Sequence, residues 1–101
     1  METVVASTIV QQLGHSTGRM SAMIGAHTFT AGAYTLTFKF KARAKNGANC
    51  CKITLDASDT YHVEFLSLRG VSVRTKGDFT DVYAENLKRL FETETGLYLS
   101  L

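Results

Sequence analysis

The chain has 101 residues, 45% of them hydrophobic and 20% charged, with a net charge of +2 and no proline. That size suits one domain, residues 1–101, whose core needs no metal or disulfide framework, and the composition excludes a disordered chain or a proline-rich linker. No stretch approaches the roughly 20 apolar residues that span a bilayer, and Met1 to Leu13 lacks a cationic start followed by an apolar run, so a cytoplasmic location is expected.

From Thr3 to Leu13, Val5, Ile9 and Leu13 fall at i, i+4 and i+8, which predicts a helix stopped by Gly14. Gly14 to Gly18 is small and polar and reads as a loop. Arg19 to Ile24 is expected to form a first strand, with Met20, Ala22 and Ile24 on one side, and Gly25 to Gly32 a connection with Phe29 turned inward. Thr35 to Lys45 then alternates: Leu36, Phe38, Phe40, Ala42 and Ala44 on one face, Thr37, Lys39, Lys41, Arg43 and Lys45 on the other. Period two of this length predicts a half-buried strand, and Asn46-Gly47 a hairpin turn.

The return strand is Cys50 to Asp56, with Cys51, Ile53 and Leu55 facing the core, followed by turn residues Asp56 to Asp59. Tyr61, Val63 and Phe65 alternate with His62 and Glu64 in the next strand. After Gly70, Val71 and Val73 alternate with Ser72, Arg74 and Lys76 in the last. Gly77 to Asp81 resets the chain, with Thr80 or Asp81 as N-cap to a helix carrying Tyr83, Leu87, Leu90 and Phe91 on one stripe, Glu85 and Arg89 four apart outside, and Gly96 as its stop. The apolar tail Leu97 to Leu101 should pack back on the sheet or join an interface. The expected fold is α+β: an antiparallel meander of four or five strands flanked by an N-terminal and a C-terminal helix.

Met23-Ile24-Gly25-Ala26, Leu36-Thr37-Phe38-Lys39, the segment Asn49 to Phe65 and Glu92 to Tyr98, in that order, resemble short uncharacterised proteins of tailed phages and prophages. The likeness covers most of the chain after Gly14. It implies an accessory protein of a phage or mobile element in a host cytoplasm, and it assigns no catalytic residue because the group has no assigned activity. Small proteins of this kind often bind host machinery, including restriction and CRISPR defences.

The residues offer little chemistry. Gly14-His15-Ser16-Thr17-Gly18 matches G-x-S-x-G, but a nucleophile elbow needs a strand before the serine, and here a helix precedes it. A hydrolase using this loop, with His62 and Asp56 or Asp59 as partners, is the third reading, and no enzyme is expected. Phosphate-loop and dinucleotide signatures are missing, so no cofactor is expected. The adjacent Cys50 and Cys51 would close a strained ring and are read as reduced; His27 and His62 lack metal-type spacing, so no metal is expected.

Charge is the most informative property. Residues 1–76 hold nine Lys/Arg against four Asp/Glu, net +5; residues 77–101 hold two against five, net −3. If both helices cover the apolar face, Lys39, Lys41, Arg43, Lys45, Lys52, Arg74 and Lys76, with His62, project from the other as a binding surface. The expected partner is a host or phage protein with an acidic surface, and a nucleic acid is the alternative, since residues two apart on a strand stand about 6.6–6.8 Å apart, close to phosphate spacing. Against the latter, Phe38, Phe40, Tyr61 and Phe65 all face inward, leaving no stacking platform. The plain alternative is that these cations keep an exposed sheet from pairing. A molecule with a basic and an acidic part can also form homo-oligomers.

Overall fold

The computed structural model describes residues 4–99. Met1 to Thr3, with Glu2 of the charge count and the first residue of the expected helix, and Ser100 and Leu101 of the tail lie outside the described residues. The elements are α1 (Val4–Gly14), α2 (Thr17–Ile24), β1 (His27–Ala31), β2 (Thr35–Lys39), β3 (Cys50–Leu55), β4 (Tyr61–Arg69), β5 (Ser72–Val82) and α3 (Ala84–Thr95). The five strands form one antiparallel sheet in the order β1-β2-β3-β4-β5, so each pairs with its neighbour in sequence. This is the expected α+β meander with flanking helices.

The core lies under α1 and α3. Phe91 of α3 meets Phe38, Phe40 and Phe65 at ring separations of 6.0, 5.6 and 5.9 Å. Ile9 and Leu13 of α1 are fully buried, and the Tyr61 hydroxyl donates to Gln12 Oε1 at 2.8 Å. Cys51 joins this core, its parity placing it beside Phe38 and Phe65 in register. Both cysteines are free and buried. Leu99 is buried as well, its N–H donating to Glu92 Oε2, so the described part of the tail packs back through Leu97 and Leu99 while Tyr98 stays exposed.

Several expected elements are corrected. Arg19 to Ile24 is helix, not strand: Ser16 caps it by accepting from the Arg19 N–H at 3.1 Å, and Gly25 closes it in the left-handed region at φ 69°. Met20 and Ile24 are its buried side and Ala22 is exposed, which is helical spacing. The fifth strand is instead His27–Ala31, where a connection was expected; Phe29 in it does pack inward, stacked on Phe38 at 5.7 Å. Gly14 ends α1 inside the helix, and His15 takes the positive φ of 74° that the stop requires. Gly14 is needed for space, since a Cβ there would stand 2.5 Å from Met20 Cγ.

Nor does Gly77 to Asp81 reset the chain, because β5 runs through it to Val82, with Val71 in the preceding turn. Two irregularities absorb the mismatch with β4, one between Phe65 and Leu66 and one between Tyr61 and Val63. The N-cap of α3 is Tyr83, which offers no side-chain bond and is exposed, and Arg89 bonds Asn86 Oδ1 at 2.6 Å rather than Glu85. Gly96 does end the helix, at φ 73°.

The strand expected over Thr35 to Lys45 stops at Lys39. A two-residue turn at Asn46-Gly47 would pair Lys45 with Ala48 and therefore Lys39 with Thr54; the observed partner of Lys39 is Cys50. The shift is even, so every side chain keeps its face, but Lys41 to Ala48 is freed as a loop. Its backbone finds other partners: Ala42 N–H donates to Ile24 O, Lys45 N–H to Thr95 O and Gly47 N–H to Ala44 O.

Candidate functional site

The loop decides where the cations go. Phe40 N–H still bonds Asn49 O at 3.0 Å, after which the chain turns out of the sheet toward the ends of α2 and α3. Lys41, Arg43 and Lys45 therefore leave the plane of Lys39. The expected single face of Lys39, Lys41, Arg43, Lys45, Lys52, Arg74 and Lys76 does not form.

The open face of the sheet keeps Lys39 and Lys52 and is mixed in charge. Lys52 stands opposite Glu64, and Glu64 opposite Asp78. His62 Nε2 and Asp78 Oδ1 are 2.6 Å apart, an ion pair when the imidazole is protonated. One ligand atom from each of His62, Glu64 and Asp78 lies within 4.8 Å of the others, a grouping able to approach a divalent cation. The absence of metal-type spacing in sequence missed it, because Asp78 arrives from the neighbouring strand. As it stands the group satisfies itself, Asp78 holding His62 and Glu64 facing Lys52.

The other cations regroup at the β4–β5 end. Arg74 lies directly opposite Ser67, whose parity along β4 is that of the buried Phe65, so Arg74 points to the helix-covered side. The irregularity in β5 pairs Leu66 with Thr75 and Phe65 with Gly77 and leaves Lys76 between them. Its amine end reaches the loop, where Gly47 sits at φ 82°; a Cβ on Gly47 would lie 3.5 Å from Lys76 Cε. One cleft of about 340 Å³ is lined by Gly47, Ser67, Arg69, Ser72, Arg74 and Lys76. A second, of about 440 Å³, runs along the loop past Lys41, Arg43 and Lys45 and shares Gly47 and Arg69 with the first. Among the described residues no carboxylate stands within salt-bridge distance of these six cations. Arg69 was missed in sequence because it closes β4 alone, outside the alternating row.

Asn49 ties the loop to the sheet. Its side-chain oxygen accepts from Leu68 N–H at 2.8 Å, its Nδ2 donates to Leu68 O at 2.9 Å, and its own N–H donates to Leu66 O. Asn46 Oδ1 accepts from Ala48 N–H, shaping the turn.

The remaining candidates fall elsewhere. Ser16 of the GHSTG loop is a helix cap between two helices, and the sheet separates it from His62: Tyr61 meets α1 on one face while His62 projects from the other. Asp56 and Asp59 belong to the β3–β4 turn, where Asp59 N–H donates to Asp56 O. An apolar groove of about 380 Å³ runs between α1 and β1, lined by Ala6, Val10, Phe29 and Leu36 among others. No described helix is long and apolar enough to cross a membrane.

Fold and site together define a small α+β domain whose polar feature is a joined pair of cationic clefts at one end of a meander. No family model, curated protein or solved structure matches the chain.

Proposed function

We propose that this chain is an accessory protein of phage or mobile-element type that acts stoichiometrically, binding an anionic macromolecule of its host or phage through the basic end of the sheet. An anti-defence role is the form of this reading in which the partner belongs to a restriction or CRISPR system. The observation that carries the binding reading is the gathering of Lys41, Arg43, Lys45, Arg69, Arg74 and Lys76 around two adjoining clefts with no acidic neighbour in reach among the described residues. Packing like charges together without counter-charges disfavours the fold, and an anionic partner offsets that cost. The likeness of its short segments to phage proteins supports the setting. An acidic protein surface and a nucleic acid both supply such charge.

Titration of the full chain with polyglutamate and with a DNA duplex at low salt tests the reading. Binding of at least one polymer is expected, and a Lys41→Glu, Arg43→Glu, Arg69→Glu variant should lose it. A Lys39→Glu, Lys52→Glu variant, altered on the open face, should keep it. No binding of either polymer, or equal loss in the open-face variant, refutes the basic end as the binding surface.

A further inference from the structure

We infer that the cleft between the β4–β5 hairpin and the loop is a phosphate-group site with the Ser67 hydroxyl at its floor. The inference rests on the binding reading above and narrows its chemistry. Ser67 is only 5% exposed, yet it lines the cleft, and its side chain makes no hydrogen bond among the described residues. The hydroxyl is not sealed in the interior: among the described residues the one fully buried side-chain polar atom without a partner is Asn46 Nδ2, so the Ser67 hydroxyl opens into the cleft, where it can donate to a ligand. Ser67 lies opposite Arg74 in register, with Arg69 two residues on along β4 and Lys76 lifted toward the loop by the irregularity in β5. Ser72, the partner of Arg69 across the turn, adds a second hydroxyl to the lining. Gly47, in the left-handed region at φ 82°, completes the wall beside the end of the Lys76 side chain.

The donor set distinguishes phosphate from carboxylate. Two guanidinium forks, an ammonium and a hydroxyl reach the cavity from β4, from β5 and across the turn. A tetrahedral oxyanion presents acceptors in all of these directions at once. A carboxylate has two coplanar oxygens and is met in full by a single fork. The adjoining loop cleft, which shares Arg69, extends the positive lining toward Lys41, Arg43 and Lys45, as a chain of phosphodiesters requires. Stacking aromatics are not part of either lining except Phe40, which is buried, so contact is with the backbone and not with bases.

The test compares a labelled DNA duplex, inorganic phosphate and polyglutamate as ligands of the full chain at matched ionic strength. Phosphate-bearing ligands should bind and polyglutamate should bind more weakly. Ser67→Ala should weaken duplex binding about tenfold, the loss of one hydrogen bond to a charged group, while leaving thermal stability unchanged, because the hydroxyl opens to the cleft and has no partner within the fold. Arg74→Gln, whose side chain is exposed, should lower the slope of log affinity against log salt by about one. Inorganic phosphate binding without duplex binding supports the site and makes free phosphate its source. If polyglutamate binds at least as tightly and Ser67→Ala changes nothing, the phosphate assignment is overturned while the binding reading stands. If no ligand binds, both fall.

Discussion

Cys51 carries the clearest titration argument in the chain. It is fully buried among core aromatics, and burial pushes its thiol well above the ordinary range, with Cys50 and Glu64 acting in the same direction. Burial raises Cys50 too, and Lys39 opposes that rise. A thiol whose native pKa is raised holds its proton after the unfolded chain has released it. Stability is therefore unaffected below about pH 8.5 and falls as pH rises beyond that, by at most about 1.4 kcal/mol per pH unit for each group. Urea midpoints measured by circular dichroism from pH 7 to 9.5 should decline for the native chain and decline less for Cys51→Ala. Equal slopes would show that Cys51 does not titrate differently in the two states. Half of this is readable beforehand: alternation along the return strand places Cys51 on the core side with Ile53 and Leu55, and it is there, whereas the burial of Cys50 on the opposite face has no signal in the local pattern.

At the scale of elements, the legible parts were those whose pattern admits one period. Tyr61 to Phe65, Cys50 to Leu55 and the stripe of Leu87 and Phe91 alternate or repeat unambiguously, and all stand where expected. Met20, Ala22 and Ile24 fit period two, but Met20, Met23 and Ile24 fit a helix equally well. The deciding signals were the Ser16 cap and the Gly25 stop, which bracket eight residues. Past Lys39, alternation persists in sequence because Ala42 and Ala44 turn small side chains inward from a loop; nothing local records that β3 pairs in a register four residues away from the hairpin that Asn46-Gly47 suggests. The loop holds its place through Asn49, whose amide spans both backbone groups of Leu68 as a strand neighbour would. Asn49→Ala leaves that part-buried N–H and C=O without partners and should cost about 2–3 kcal/mol. Urea unfolding measures the loss, and the loop amides should lose hydrogen-exchange protection with it; a loss under about 0.5 kcal/mol would mean that water replaces the side chain.

Across the whole molecule, the sequence division into a basic first part and an acidic last part survives folding, while the surface expected from it does not. Lys52, Glu64 and Asp78 interleave on the open face, and the concentrated positive charge is at the hairpin end, assembled from a loop, a strand end and an irregular edge that no periodicity connects. Such a concentration opposes folding. Its cations repel one another across clefts with no described counter-charge in reach, and the repulsion is relieved by screening over a Debye length of about 8 Å at physiological salt. Neutralising one exposed member removes repulsion without removing packing, so Arg74→Gln should raise the urea midpoint at low salt by a stabilisation on the order of 0.5 kcal/mol. The gain should shrink toward zero near molar salt. Lys39→Gln offers the contrast: it sits apart from the cluster, and its replacement should leave the midpoint unchanged at either salt. If Arg74→Gln destabilises the chain at low salt, the hairpin cations are held by favourable contacts within the fold, and their gathering says nothing about a partner.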